Sequence, residues 1–263
     1  METTTYFTGD SLKFLKELRE HNERGWFERN RPRYESKVRD SFLHLIADLQ
    51  APLKKINPGF VADPRPTGGS MMRIYRDIRF SADKSPYKTA VAAHFGSSKQ
   101  TDGRGPAYYL RIEPGNSMIG AGLWHPDTNA LGKIREAIVA KPERWRRITS
   151  GAVFGSSCGM SGESLKRPPR GIDPNHPLIE DLKRKDFVIS SSLTDEEVCG
   201  PGLLDSISEA YRMAAPFVQF LAEAVEASGS EAGSTPGKHA PRQPSVKRAR
   251  PMAAGTKRAA SKG

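Results

Sequence analysis

Apolar residues recur at helical spacing through the first quarter of the chain. Leu12, Leu15 and Leu18 form one set, broadened by Phe14, and Val38, Phe42, Leu45, Ile46 and Leu49 form a second. Residues three and four apart share a helix face, so each set predicts a helix with one stripe turned to the core. Thr8 or Asp10 is placed to cap the first helix, and Gly25 weakens a short turn around residues 22–28. Asn30 is expected to cap the second long helix, with Pro32 in its first turn, where a missing N–H does no harm. Pro52 and Asn57-Pro58-Gly59 close it.

The texture then changes to β-branched, aromatic and long side chains. Met71 to Phe80 reads as a strand, followed by a turn at Asp83-Lys84-Ser85-Pro86. Thr89 to Phe95, Ala107 to Glu113 and Ser117 to Trp124 are three more expected strands. The last two are joined by Glu113-Pro114-Gly115-Asn116, a link short enough for an antiparallel hairpin. Helical spacing resumes after Pro126 with Leu131, Ile134 and Ile138, and Pro142 opens a short helix containing Trp145 and Ile148. A Pro- and Gly-rich connection runs from Leu165 to Pro177. Leu178 to Lys183 reads as helix and Phe187 to Leu193 as strand. Thr194 caps a final helical region that ends with Leu203 to Val225. Helices, then sequential strands, then helices, with no β-α-β alternation, predict an α+β fold. Its antiparallel sheet of about four to five strands is packed by the N-terminal and C-terminal helices.

Composition divides the chain. From residue 227 to 263 there is no aromatic residue and almost no large aliphatic one. Such a segment buries too little apolar surface to offset the entropy of ordering it, so residues 1–226 are expected to form a single α+β domain and 227–263 a disordered basic tail. The charge of +11 divides the same way: the tail carries eight lysines and arginines against Glu231, a charge of +7, leaving +4 for the body. The high pI therefore belongs mainly to the tail. Cys158 and Cys199 are the only cysteines and make no C-x-x-C pair, which argues against a thiolate metal site or a disulfide framework. The sequence has no apolar run of the roughly 18 residues a membrane span needs, and its first residues lack the basic-then-apolar order of a secretory signal. A cytoplasmic location and no membrane partner are the expectation.

The densest chemistry lies at Arg73 to Tyr87, RIYRDIRFSADKSPY. In a strand, Arg73, Tyr75, Asp77 and Arg79 share one face, while Ile74, Arg76, Ile78 and Phe80 share the other. Asp77 cannot neutralise both Arg73 and Arg79, so one guanidinium fork is expected to be open to a carboxylate or phosphate. Arg76, alone among apolar neighbours, needs an acidic partner or carbonyls if buried. The turn adds Asp83, Lys84, Tyr87 and Lys88. Asp77 or Asp83 are candidates for a base, Tyr87 or Lys84 for an acid, and Arg73, Arg76 and Arg79 for anion ligands. The alternative is a solvated charged face closed by its own salt bridges.

This segment resembles a known family. The pattern R-x-x-R-D-x-R-F-x-x-D-K-x-x-Y is that of the domain of unknown function 2461 family, met here as Arg73, Arg76, Asp77, Arg79, Phe80, Asp83, Lys84 and Tyr87. The likeness extends to Asn22-Glu23-Arg24-Gly25-Trp26-Phe27 and Arg31-Pro32-Arg33-Tyr34, and to Tyr108-Tyr109-Leu110 with Glu113-Pro114-Gly115. It continues through Gly120-Ala121-Gly122-Leu123-Trp124-His125-Pro126, Leu165-Lys166-Arg167-Pro168-Pro169-Arg170-Gly171 and His176-Pro177. The tail lies outside it. The resemblance implies that Arg73 to Tyr87 is more than a charged surface, and it carries no established activity to transfer.

Other candidates are weaker. Arg167 and Arg170, with Lys166, sit on a loop stiffened by Pro168 and Pro169; they form either a second cationic wall around the same anion or a basic surface loop. Trp26 is either a stacking platform or a core anchor. Glu113 shares a strand face with Arg111 and Tyr109, and is placed to pair with an arginine of the first strand. His125, at a strand end, suits an acid–base group. His94 and His176 could join it in a metal site, but the spacings match no metal motif, so neither metal nor cofactor is expected. Gly120 and Gly122 alternate along one strand and leave a face open to a ligand or a packed helix. The leading expectation is a protein that binds a small anionic ligand, with or without catalysis on it. The alternatives are a nucleic-acid module using the basic patch and the Lys247-Arg248-Ala249-Arg250 tail, and a structural protein with an internal arginine network.

Overall fold

Three helices open the chain in the computed structural model, which describes residues 4–98, 105–150 and 160–226. α1 spans Gly9–Glu20, α2 Arg24–Tyr34 and α3 Asp40–Ile56. Leu12, Phe14, Leu15 and Leu18 are all buried along α1, as their spacing requires. Thr8 is the N-cap, and its N–H donates to Ser11 Oγ at 3.1 Å. The expected break before Asn30 does not occur. The helix runs on through Pro32, and Asn30 donates its side-chain amide to the Trp26 carbonyl one turn back instead of capping. A proline inside a helix removes one N–H and crowds the preceding turn. Directly after it the chain makes one π turn, Glu35–Arg39, with Ser36 Oγ donating to the Pro32 carbonyl at 2.9 Å. α3 then buries Phe42, Leu45, Ile46, Leu49 and Leu53.

The sheet has strands β1 Val91–Gly96, β2 Ala107–Ile112, β3 Ser117–Leu123, β4 Met160–Ser161 and β5 Phe187–Leu193. Every pairing is antiparallel and the order is β1-β2-β3-β5-β4. The first three form the expected meander, turning from β2 to β3 at Glu113–Asn116, where Gly115 takes a φ of 69°. β4, two residues long, is too short to carry a period, and the sequence pattern does not signal it.

The expected strand at Met71 to Phe80 is not a strand. It is an irregular segment held to its neighbours by two isolated bridges, Met71 to Ala93 and Tyr75 to Tyr87. Near Ser70 it adds briefly to the free edge of β1, with Met72 N–H on the Ala92 carbonyl and His94 N–H on the Ser70 carbonyl. Beyond Arg76, short acidic side chains replace the ladder. Asp77 accepts from the Arg79 N–H and Asp83 from the Ser85 N–H, local bonds that compete with strand pairing. Pro86 lacks an N–H altogether. The face alternation nevertheless survives in burial. Ile74 is buried and Arg76 and Ile78 are half-buried, whereas Arg73, Tyr75, Asp77 and Arg79 are exposed. Phe80 departs from it and is 79% exposed.

The remaining helices are α4 Thr128–Ala140, α5 Pro142–Ser150, α6 Ile179–Leu182, α7 Asp195–Cys199 and α8 Leu203–Glu226. Asp127 caps α4, and Thr194 with Glu197 forms a capping box on α7. One face of the sheet carries Val91, Ala93, Phe95, Tyr108, Leu110, Ile112, Ile119, Ala121 and Leu123, all buried. α8 crosses β2 and β3 on this face and packs beside α3 and α4. Tyr211 of α8 lies 4.8 Å from Tyr108, ring to ring. Trp145 of α5 is fully buried among Phe187, Phe217 and Phe220, its indole N–H bonded to Asp181 at 2.9 Å. A buried indole keeps its donor satisfied this way. The described residues belong to one α+β unit, and the tail from residue 227 lies outside them. Among them, no helix is long and apolar enough to cross a membrane.

Gly122 shows how closely the sheet is fitted. It has a φ of 127°, and a Cβ there would lie 2.0 Å from the Phe187 carbonyl oxygen. Gly122→Ala is expected to cost at least about 3 kcal/mol, from backbone strain and overpacking together. Urea denaturation should show it as a lower midpoint with an unchanged slope.

Candidate functional site

The segment carrying the motif is fixed against α2 by its last tyrosine. Tyr87 is 2% exposed, and its ring stacks on Phe27 with centroids 4.1 Å apart. Asn22 holds the backbone on the other side, donating Nδ2–H to the Tyr87 carbonyl and accepting the Tyr87 N–H, both at 3.0 Å. Burial pushes the Tyr87 phenol up. This tyrosine is therefore a packing anchor, and Tyr75 is the phenol presented outward. Tyr75 is 49% exposed, and its oxygen accepts a bond from Arg31 at 3.3 Å.

Between α2 and this segment lies an open cleft of about 330 Å³, lined by Arg24, Glu28, Tyr75, Arg76, Ile78, Pro86 and Tyr87. Its volume is at the low end for small-molecule sites, which start near ~300 Å³. Glu28 is neutralised by a two-pronged bond from Arg31, at 3.0 and 2.6 Å, which lowers its carboxyl pKa. Arg76 gives one nitrogen to Asp83 at 2.5 Å. Arg24 has no acid partner among the described residues. The first turn of α2 also has no side-chain cap, so its N–H groups are not taken by Glu23.

The motif's charges are distributed differently from the expected face. Arg79 and Asp77 close on each other through two parallel bonds of 3.0 and 2.8 Å, so Arg79 is not the open fork. Asp83 accepts from Ser85 and from Arg76, which hold its carboxyl down at about 2. Lys84 donates to the Ile78 carbonyl at 3.0 Å. Arg73 is exposed without an acid partner among the described residues, close enough to Lys88 for the two charges to repel. Lys88 is half-buried and equally unpaired; burial first, and Arg73 second, lower its ammonium to about 8. Arg76, one of the three arginines expected as anion ligands, is the arginine of the motif that lines the cleft.

Other candidates lie elsewhere. The loop with Arg167 and Arg170 leaves the sheet beside β4 and β5, where Leu165 N–H bonds to the Lys183 carbonyl. The Arg73 to Tyr87 segment joins the β1 edge. Strand order puts these at opposite edges, so the two basic groups do not build one wall. Glu113 pairs with Arg111 and lies 3.8 Å from Arg19, rather than meeting an arginine of the motif. Trp26 is half-buried against Phe14 and His21, a flank of the core. His94 faces away from α8, in a cross-strand row with Tyr109, Gly120 and Ser190, and burial lowers its pKa. His176 Nδ1 accepts the Leu178 N–H. Among the described residues no group of three or more metal-ligating side chains converges. His125 instead meets Asp186, a fully buried acid that no pattern singled out. Neither Asp186 nor Arg24 stands in a sequence spacing that signals what it meets.

Comparison with known families settles the lineage. The family described as Conserved hypothetical protein (DUF2461) matches residues 10–220, most of the described body. This chain belongs to that family. No curated protein and no solved structure matches it. The matched span contains both sheet edges, the cleft and the motif, and excludes the tail.

Lys88 gives the site a pH signature. Its folded pKa, about 8, lies below the ordinary 10.5, so the unfolded chain holds that proton more tightly between these values. Stability should therefore rise as pH increases through this window. Lys88→Met should flatten the rise and stabilise the fold below it. Urea midpoints measured across the window in both proteins check this.

Proposed function

We propose that this protein binds a small phosphate- or carboxylate-bearing ligand in the cleft between α2 and the Arg73 to Tyr87 segment. The observation that carries the reading is Arg24, a guanidinium without an acid partner among the described residues, walling a concave space with the incompletely used Arg76. A guanidinium fork matches an oxyanion in shape, and one whose acid partner is missing gains most from a ligand. The uncapped first turn of α2 adds backbone donors of the same polarity. Arg73 and Lys88, within two residues of Tyr75 and Tyr87 along the chain, add positive potential that draws an anion toward the cleft.

Binding is better supported than chemistry at this motif. Asp83, held at about 2, is a poor base near neutral pH. Tyr87 is buried, Lys84 is turned to a carbonyl, and Asp77 is engaged by Arg79. The cleft's small volume and concave shape favour a small ligand over a nucleic-acid strand, which needs a continuous basic groove.

Calorimetric titration with inorganic phosphate and with pyrophosphate tests the assignment. Arg24→Ala and Arg76→Ala should each weaken binding about tenfold or more, the value of a charge-assisted hydrogen bond. Arg79→Ala should leave affinity unchanged. Equal loss in all three variants would point to diffuse charge and remove the cleft from consideration.

A further inference from the structure

The cleft between α2 and the motif has an aromatic wall as well as a cationic one. Tyr75 lines it beside Ile78, Pro86 and Tyr87, while Arg24 and Arg76 supply the charge. A single exposed aromatic ring needs no explanation by itself. What distinguishes Tyr75 is that the ring is held at both ends. Its backbone is bridged to Tyr87, and its hydroxyl accepts from Arg31 at 3.3 Å. Arg31 is fixed in turn by two bonds to Glu28, three residues earlier on α2. The ring also continues a stack that begins in the core. Phe27 lies 4.1 Å from Tyr87, and Tyr87 lies 5.5 Å from Tyr75 at an angle of 43°. Phe27 and Tyr87 are buried, so only the last ring of the three is open to solvent.

A ring backed in this way has little side-chain freedom left to lose, and that lowers the cost of laying a ligand against it. Ile78 and Pro86, both half-buried, extend the apolar surface beside it. The charge reaches the same space from two elements, Arg24 from α2 and Arg76 from the motif. A carboxylate is matched by one guanidinium fork, whereas a phosphate monoester offers three oxygens and can engage two. The cleft volume of about 330 Å³ suits one ring with its phosphate rather than a larger body.

We propose that the ligand of this cleft is a phosphate monoester of a single planar ring, lying on Tyr75 with its phosphate between Arg24 and Arg76. The proposal rests on the anion-binding reading above and adds the part of the ligand that the arginines do not hold. Tyr75 is then the residue that determines specificity. The guanidinium groups accept any phosphate, and the phenol ring selects among phosphates by what they carry. Arg31 and Glu28 act through Tyr75, by positioning its hydroxyl.

Calorimetric titration of the full chain with phenyl phosphate, cyclohexyl phosphate and inorganic phosphate tests this. Phenyl phosphate should bind about tenfold tighter than inorganic phosphate, the gain of an aromatic pair with the apolar area it covers. Cyclohexyl phosphate has as many carbons and no planar face, and should bind at least about threefold more weakly than phenyl phosphate. Tyr75→Ala should abolish this preference between the two esters. Tyr75→Phe, which keeps the ring and loses the hydroxyl, should retain most of it. Arg24→Ala should weaken both esters by the same factor and leave their ratio intact. A ratio of two ligands in one protein is not moved by a general loss of structure, and the comparison in the unaltered chain needs no variant. Equal affinity for the two esters, or a preference that survives Tyr75→Ala, would overturn this proposal while phosphate binding stands. Binding of none of the three ligands would overturn the anion reading itself, and this proposal with it.

Discussion

The apolar face of the sheet, on which α8 lies, is the constraint from which the rest of this structure follows. The large buried side chains of β1, β2 and β3 project to the side on which α8 lies, and α8 itself has ten buried positions. Strand alternation then releases every second residue from the core. His94, Tyr109, Gly120 and Ser190 form one such released row. The hydrophobic effect, being proportional to apolar area removed from water, decides the placement of the strands and leaves the polar groups to arrange themselves around that choice. Irregular segments accordingly dock at the two ends of the strand order. Residues 70–88 lie against β1, and residues 160–186 lie around β5 and β4. The candidate anion cleft and the histidine–aspartate pair are separate because the sheet has two edges.

Within the motif, identical residue types meet different fates according to what stands within reach. Arg79 has a carboxylate two residues back and closes on it; Arg76 gives Asp83 a single nitrogen. Arg24 reaches the same region from another element and has no acid partner among the described residues. Exposed pairs such as Arg79 with Asp77 contribute little to stability, because solvent screens them and ordering both side chains costs entropy. Their effect is to cancel charge locally. The ligand-ready cations are those that local geometry leaves uncancelled.

Much of the fold was legible in the sequence. The stripes of α1, α3 and α4, the β2–β3 hairpin, β5, and the Thr194 cap all follow from spacing and turn residues, because local rules govern them. The departures fall where tertiary contacts override such rules. Asn30 resembles a cap and Pro32 a first-turn proline, yet the helix passes through both and takes up the irregularity as a π turn. Met71 to Phe80 has strand composition, but Asp77 and Asp83 bond to nearby backbone and break the ladder. The motif's location was legible because its charge density is unusual. Its partner helix was not, since Arg24 approaches from about fifty residues earlier and no periodicity encodes that meeting. Asp186 was equally hidden: a single acid before an apolar strand carries no spacing signal.

The clamp made by Asn22 has a further meaning. In the bridge between Tyr75 and Tyr87, hydrogen bonds run from the flanking residues, so the N–H and carbonyl of Tyr87 point away from that partner. They would form an unpaired β-edge, the feature through which sheets recruit strands from other molecules. The Asn22 amide presents one donor and one acceptor in the order a neighbouring strand would. It is a one-residue imitation of a strand, seated where another molecule's backbone would otherwise dock.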